Sequence, residues 1–565
     1  MAAFPLMEYG QLVNRQSYRL LETQLFPQFS ESATPNAAPE YPALLLGQSR
    51  LIACWQALVA QSANHLYLST TVGLSGLAVL ADLNRLTGSA TLGSVSGRQA
   101  SNDSVCDSLV VDRILSRQAL YGHTRTDGAT SPGLLGQTRL LAIPVEYLLD
   151  RPSVWWPLKQ ALETGHYSLG DRQLPVQCQV VIIGSAADYD NLNGFDSNFS
   201  DIINLYGECQ PEMEAVNADQ QSQWMTAANG ECRRLCQREL STAAATRLAR
   251  HASRLVEHQE KLSLSWSEIN KLFKLLDGGT SDEVSEQEIN AALALQSQMH
   301  NALEESSHES IREQMVLVQT QGQAVGQING LTVVDYCGHS YGEPARITTT
   351  VHYGDGEVAD VERKSDLGGN IHAKGMMILS ACLYRLFGRD APLHLNANIV
   401  FEQSYQTIDG DSASLAEYCS LISAIADAPI AQNMAMTGAV DQFGNVQAIG
   451  GINQKIEGFF RVCNSRGLTG DQGVILPSAN MRQLNLSDEV IQAVLEKRFH
   501  LYQVDKVEQA LELVSDIPLA EADKDNQYPE ESLYGKVQLR LAQLVGAGDE
   551  PLTLLDRIKE RLRLS

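Results

Sequence analysis

The sequence predicts a multidomain α/β protein, and three observations carry that expectation. Short apolar segments alternate with helix-like segments from Leu44 to Leu192, residues 198–316 are mostly helical in pattern, and a strand-rich stretch begins at Gly322. At about 150 residues per domain, a chain of 565 residues has room for three or four domains with real cores. The expected divisions are an N-terminal arm and linker (1–43), an α/β domain (44–197), a helical region (198–316), a second mixed α+β domain (322–516) and a helical tail (517–565).

A helix is expected around Tyr9–Gln24, followed by a turn-rich linker from Pro27 to Pro42. Residues 65–73, 107–111, 139–145 and 179–184 read as strands, with helices at Arg50–Gln61, Leu74–Leu86 and Trp155–Glu163 between them. Strands apolar on both faces and interleaved with helices indicate an open, parallel sheet. Thr242–Glu257 carries Ala245, Leu248, Ala252 and Leu255 at helical spacing, and Trp266–Leu276 follows in kind. Asp282–Gln314 reads as one long acidic helix, and the tail as one or two amphipathic helices.

Hydrophobic residues make up 44% and charged residues 19%, the balance of an ordinary globular protein. The 42 Lys and Arg against 67 Asp and Glu leave a net charge of −25, which argues against a protein that coats nucleic acid. The opening residues lack the pattern of a signal peptide. The most apolar stretch, Ser420–Val440, is interrupted by Asp427, Pro429, Gln432 and Asn433, so no membrane span is expected. Cys232 and Cys236 have no second pair or nearby histidine to complete a zinc site. Reduced thiols and a cytoplasmic location are the expectation.

The segment with chemical content is Asp409-Gly410-Asp411-Ser412-Ala413-Ser414, between a strand (His394–Phe401) and a helix bearing Leu415, Cys419, Ile422 and Ile425 on one face. Ser412 falls near a helix N-terminus, where free N–H groups favour developing negative charge; an N-cap is the plainer role for such a serine. The pattern differs from a Gly-x-Ser-x-Gly elbow at Ser414, and His372, His394 and His500 do not complete a hydrolase order around it. Further on, Met434–Val440 reads as a strand, Asp441–Gly444 as a turn, and Gly450-Gly451 opens a helix with Ile452, Lys455, Ile456 and Phe459 on one face. A lysine on an apolar face either snorkels to water or loses its proton through burial and becomes a base. A Ser–Lys pair is one way to activate a hydroxyl.

Taken together, Gly410–Ser414, Met436-Thr437-Gly438 and Gly450-Gly451-x-x-x-Lys455 strongly resemble the proteolytic domain of Lon proteases, specifically the B-type branch with its Gly-Asp-Ser-Ala-Ser signature. The 43-residue spacing from Ser412 to Lys455 agrees with that family. So do Gly326–Gly330, Gly369–Gly375 and Phe401–Tyr405, and the resemblance covers about residues 322–515. It implies Ser412 as nucleophile, Lys455 as general base, Thr437 as the hydroxyl supporting the lysine, protein or peptide substrates, and a homohexameric ring.

The family pattern places an AAA+ ATPase before the protease, and residues 44–275 look like a divergent version, with Leu46-Gly47-Gln48 resembling its first box. A phosphate loop needs Gly-x4-Gly-Lys-Ser/Thr, so that a lysine holds phosphate and a hydroxyl binds Mg²⁺. Here Thr70–Leu77 puts Gly76 at the lysine and Leu77 at the hydroxyl, and Pro144 stands where the next strand needs a metal-binding Asp, with Glu146 nearby. ATP and Mg²⁺ are expected by family but not by these residues, and the chemistry itself requires no cofactor or metal. A cryptic nucleotide site, a non-catalytic adaptor of Lon shape and an unrelated Ser–Lys amidase remain as alternatives.

Overall fold

A computed structural model describes residues 15–35, 42–88, 93–95, 108–111, 117–124, 130–276, 281–354, 358–360, 370–388, 394–404 and 410–547. The chain forms two compact units: Phe29–Val256 with Glu260–Gln296, and Met1–Gln28 with Glu257–Gln259 and Ser297–Ser565.

The first of these is built on a six-stranded sheet. Its strands are β1 (Leu66–Ser69), β2 (Gly93–Val95), β3 (Ser108–Val111), β4 (Leu140–Pro144), β5 (Gln179–Gly184) and β6 (Leu205–Glu208). They lie in the order β6-β1-β5-β4-β3-β2, every pair parallel. Alternate residues serve opposite cores: Leu66, Leu68, Ala142, Val181 and Ile183 enter one cluster, and Tyr67, Leu141, Ile143, Val180 and Ile182 the other. A sheet buried on both faces needs such continuous apolar runs. The topological switch lies at β1, whose neighbours β5 and β6 are both distant in sequence, and α/β sheets take ligands at that carboxyl edge. Helices α1 (Ser49–Ala60), α2 (Gly76–Leu86) and α3 (Pro152–Thr164) flank the sheet.

A helical set follows: α4 (Ala218–Cys236), α5 (Thr242–Leu255), α6 (Trp266–Leu275) and α7 (Glu286–Gln298). Trp224 and Trp266 stack at 5.6 Å in its core. The single helix expected over Asp282–Gln314 is instead a short strand at Glu283–Val284, α7, and a separate α8 (Ala302–Arg312). The two helices bury against different clusters, Ile289 and Ala292 in one and Ile311 in another.

The second unit holds a seven-stranded mixed sheet: β7 (Gln327–Tyr336), β8 (His339–Tyr353), β9 (Val358–Asp360), β10 (Leu395–Phe401), β11 (Met434–Met436), β12 (Gly473–Pro477) and β13 (His500–Val504). The order is β9-β10-β8-β7-β11-β12-β13. β7 and β8 form a hairpin through Cys337 (φ +50°) and Gly338 (φ +77°), the left-handed pair that a two-residue turn prefers. Two helices pack on opposite faces, and strand alternation sets which. Met434, Met436 and Ile475 join the cluster around α10 (Ser414–Ala426). Ala435, Val474 and Leu476 join that around α11 (Ile452–Arg466), with Ile452, Ile456 and Phe459. Each such fully buried aliphatic side chain contributes about 1.5–3 kcal/mol. The tail supplies α12 (Leu533–Ala547), which packs its Leu533, Val537 and Leu541 into the α10 cluster.

Two further expectations change. Tyr9–Gln24 is not a helix where it is described: residues 15–18 and 22–24 are short 3-10 turns, and residues 9–14 lie outside the described set. Leu20 donates its N–H to Leu501 O at 3.2 Å, so a contact with the sheet edge captures the backbone. Met434–Val440 is not one strand but β11 and a separate pair, Ala439–Val440, because Gly438 gives its N–H to Ser412 O and leaves the ladder. Residues 36–41 of the linker, Gly369, Tyr405, Asp409 and the tail beyond Ala547 lie outside the described residues.

Candidate active site

Ser412 and Lys455 come from opposite faces of the seven-stranded sheet, and they meet where the sheet is interrupted. β11 stops at Met436, and its pairing with β7 ends at Gly330↔Met436. Through the opening beyond it the Lys455 Nζ donates to Ser412 Oγ at 2.9 Å and to Thr437 Oγ1 at 3.3 Å.

Each partner is held by main-chain geometry. Ser412 lies in a turn just before α10, and the N-cap of that helix is Ala413, with no side-chain cap bond. The capping role open to Ser412 from sequence is therefore not the one it takes. Its neighbour Ser414 locks the turn by donating to Asp411 O at 2.8 Å. Gly410 at φ +145° occupies backbone space that side-chain-bearing residues avoid. The Ser412 carbonyl accepts from Gly438 N at 2.8 Å and from the Thr437 hydroxyl at 3.1 Å. Thr437 thus receives from the lysine and donates to the serine's own carbonyl, while its N–H is fixed to Ile475 O at 3.1 Å.

Lys455 is 3% exposed and does not snorkel to water. Desolvation lowers its pKa from 10.5 to about 8, against the opposing pull of the Asp411 and Glu257 carboxylates. Its position depends on two glycines. A Cβ on Gly342 of β8 would meet Gln454 O at 2.0 Å and Lys455 Cα at 2.7 Å, and one on Gly458 of α11 would meet Gly342 O at 2.0 Å. Helix and strand therefore touch backbone to backbone one turn from the lysine.

The pair opens into a cleft of about 680 Å³ lined by Leu331–Asp335 of β7, Glu343, Gly450, Gly451 and Gln454. Beyond Gly330 that edge of β7 has no strand partner among the described residues. His372, His394 and His500 do not line the cleft. His372 is buried 3.8 Å from Glu417, His394 stacks on Tyr353, and His500 faces Gly470 O at 2.8 Å. Sequence reading missed Glu257, Gly342 and Gly458. A glycine three residues after Lys455 inside a helix was the available signal, since a helix keeps one at a cost of about 1 kcal/mol.

The other expected site lies at the switch of the six-stranded sheet. A Cβ on Gly76 would meet Ile183 Cγ2 at 2.4 Å and Thr70 Cγ2 at 2.5 Å, so the position reserved for a phosphate-binding lysine has no room for a side chain. Gly73 packs against Ser265, and its carbonyl accepts from Ser267 N at 3.2 Å. Pro144 ends β4, and Glu146 opens a short helix at Glu146–Leu149. These residues do not fit a Mg-nucleotide. Among the described residues no group of His, Cys, Asp and Glu is placed to hold a metal, the described cysteines are free thiols, and no helix is long and apolar enough to cross a membrane.

Residues 319–515 match the model for the Lon protease (S16) C-terminal proteolytic domain, and residues 239–274 that for the archaeal LonB AAA+ ATPase lid domain. The chain is 37% identical over 419 residues to a Lon protease homolog of Escherichia coli, covering 70% of this chain and 71% of that one. It is 37% identical over 431 residues to a Lon protease homolog of Haemophilus influenzae, covering 73% and 70%. An archaeal Lon protease of Thermoplasma volcanium is 27% identical over 263 residues, 45% of this chain and 38% of that one.

Proposed function

The chain belongs to the Lon protease family and carries its proteolytic domain, and from that premise we propose that it is an endopeptidase working through a Ser412–Lys455 dyad, with weak or absent ATP hydrolysis. The observation that carries this is the 2.9 Å bond between a buried lysine amine and a serine hydroxyl at the end of an open cleft. We assign 322–516 as the proteolytic domain, 44–197 as a degenerate AAA+-like core, and 198–316 as a helical lid with connecting helices.

Neutral Lys455 takes the proton of Ser412 as its oxygen attacks the scissile carbonyl. Backbone N–H groups around Ser412 stabilise the developing oxyanion, a role left to groups other than Ser414 N and Leu415 N, which already bond Asp411 O and Gly438 O. The protonated lysine returns its proton to the leaving amine, the acyl-serine ester remains, and water repeats the cycle to free the acid. Thr437 accepts from the amine and holds it on line with the hydroxyl. The unpaired β7 edge suits an extended chain, whose amides can pair with it as an added strand. A homohexameric ring, as in the family, would enclose such a site, and without ATP-driven threading only peptides, unfolded chains or flexible ends would reach it.

Purified protein is incubated with fluorogenic casein, with and without Mg-ATP, beside Ser412→Ala and Lys455→Ala. Cleavage by the wild type alone, indifferent to nucleotide, is the expected result. No cleavage under any condition would favour the adaptor reading, and Mg²⁺-dependent ATP turnover would restore a working ATPase.

A further inference from the structure

Apart from Lys455, the cleft ending at Ser412 is lined by charge of one sign. Glu257, Asp335 and Glu343 line it, and the only cation among the described lining residues is Lys455. The carboxylates do not converge as metal ligands do. Asp335 accepts from Ser340 Oγ, and Glu343 bonds the Tyr341 hydroxyl. Glu257 sits at φ +48°. Two residues on, Gln259 clamps the segment, donating its N–H to Arg482 O at 2.7 Å and its side-chain amide to Gln24 O at 2.9 Å and Leu484 O at 2.7 Å.

Two further observations point to a peptide in this space. The β7 edge from Leu331 to Asp335 has unused main-chain groups on the cleft side. The side-chain oxygen of Gln454 is buried in the same wall with no hydrogen-bond partner, an acceptor awaiting an N–H. We propose that the cleft selects extended peptides carrying arginine or lysine beside the scissile bond, with Glu257, Asp335 and Glu343 as the specificity-determining carboxylates.

This rests on the endopeptidase reading and names its substrate class. A cationic side chain entering beside these carboxylates gains attraction, and an acidic one meets like charge, which disfavours wrong partners more strongly than it tightens right ones. Arginine is the better fit, since its planar fork matches a carboxylate edge. The basic group would also offset the pull that Glu257 exerts on the Lys455 proton.

Peptides of one neutral scaffold, with a single position on either side of the cleaved bond set to Arg, Gln or Glu, are compared on wild type and on Glu257→Gln/Asp335→Asn/Glu343→Gln. Arg is expected to exceed Glu in kcat/KM by roughly tenfold at low salt, the scale of a few partly exposed charge pairs. That ratio shrinks in high salt and falls toward one in the triple variant. A wild-type ratio of one or below, or a ratio untouched by the triple substitution, overturns the proposal. Anisotropy of the same peptides on Ser412→Ala separates the two readings. Preferential binding of Arg peptides with no wild-type hydrolysis removes the endopeptidase and leaves the selectivity, whereas indiscriminate hydrolysis does the reverse.

Discussion

Adding one methyl group at Gly342 tests whether main-chain contact sets the reach of Lys455. The new Cβ would lie 2.0 Å from Gln454 O, where real Cβ atoms do not come within 3.0 Å. Backbone cannot swing aside as a side-chain end does, so α11 must retreat from β8 by about 1 Å. The 2.9 Å bond from Lys455 to Ser412 would open to nearly 4 Å, beyond hydrogen-bond range. Misplacement on that scale costs about a hundredfold in rate, and overpacking costs about 1–3 kcal/mol of stability. The assay is kcat/KM on a fluorogenic peptide, with a thermal melt to show that the variant is folded. Gly230→Ala, in a helix where a Cβ meets nothing within 4 Å, is the control and should not lose activity. A folded Gly342→Ala protein with activity within twofold of wild type would refute the reasoning.

Because the Lys455 pKa is about 8, kcat/KM should rise with pH through about 8, and a profile flat from pH 6 to 9 would exclude this base. The same depressed pKa penalises the fold where the amine is protonated. Below about 8 the full penalty of about 3 kcal/mol applies, and it is relieved between about 8 and 10.5, where only the unfolded chain holds the proton. Lys455→Met should therefore be inactive yet more stable than wild type at pH 7, by up to that amount in denaturant titration; lower stability would contradict it. Thr437→Val removes the acceptor for the amine and the donor to Ser412 O, and should lower kcat by about tenfold or more, with Thr437→Ser restoring most of it. Gly76→Lys should not create nucleotide binding by calorimetry, because Ile183 and Thr70 occupy the space its side chain needs.

How much could be read beforehand depended on whether the physics was local. The strands Leu66–Ser69 and Gln179–Gly184 were legible because both faces are buried and nothing polar interrupts them. α11 announced itself through Ile452, Ile456 and Phe459, and its lysine was conspicuous on that apolar face. The break at Thr437–Gly438 was invisible, since it arises from the bond of Gly438 to Ser412, 26 positions away. Glu257 could not be foreseen in the cleft, because nothing near it in sequence marks it and only the tertiary fold brings it there. A short helix was expected around Tyr9–Gln24, but in its described part, from Arg15 on, Leu20 bonds Leu501 at the sheet edge instead.

The hydroxyl and the amine reach each other only through a gap between two finished layers. One arrives in the turn that leads into the helix beneath the sheet and the other on the helix above it, with the threonine just past the end of the intervening strand. No hairpin or helix pair forming early in folding contains all three groups. An unfolded chain therefore holds an ordinary serine and an ordinary charged lysine, and the pair exists only once both layers are in place.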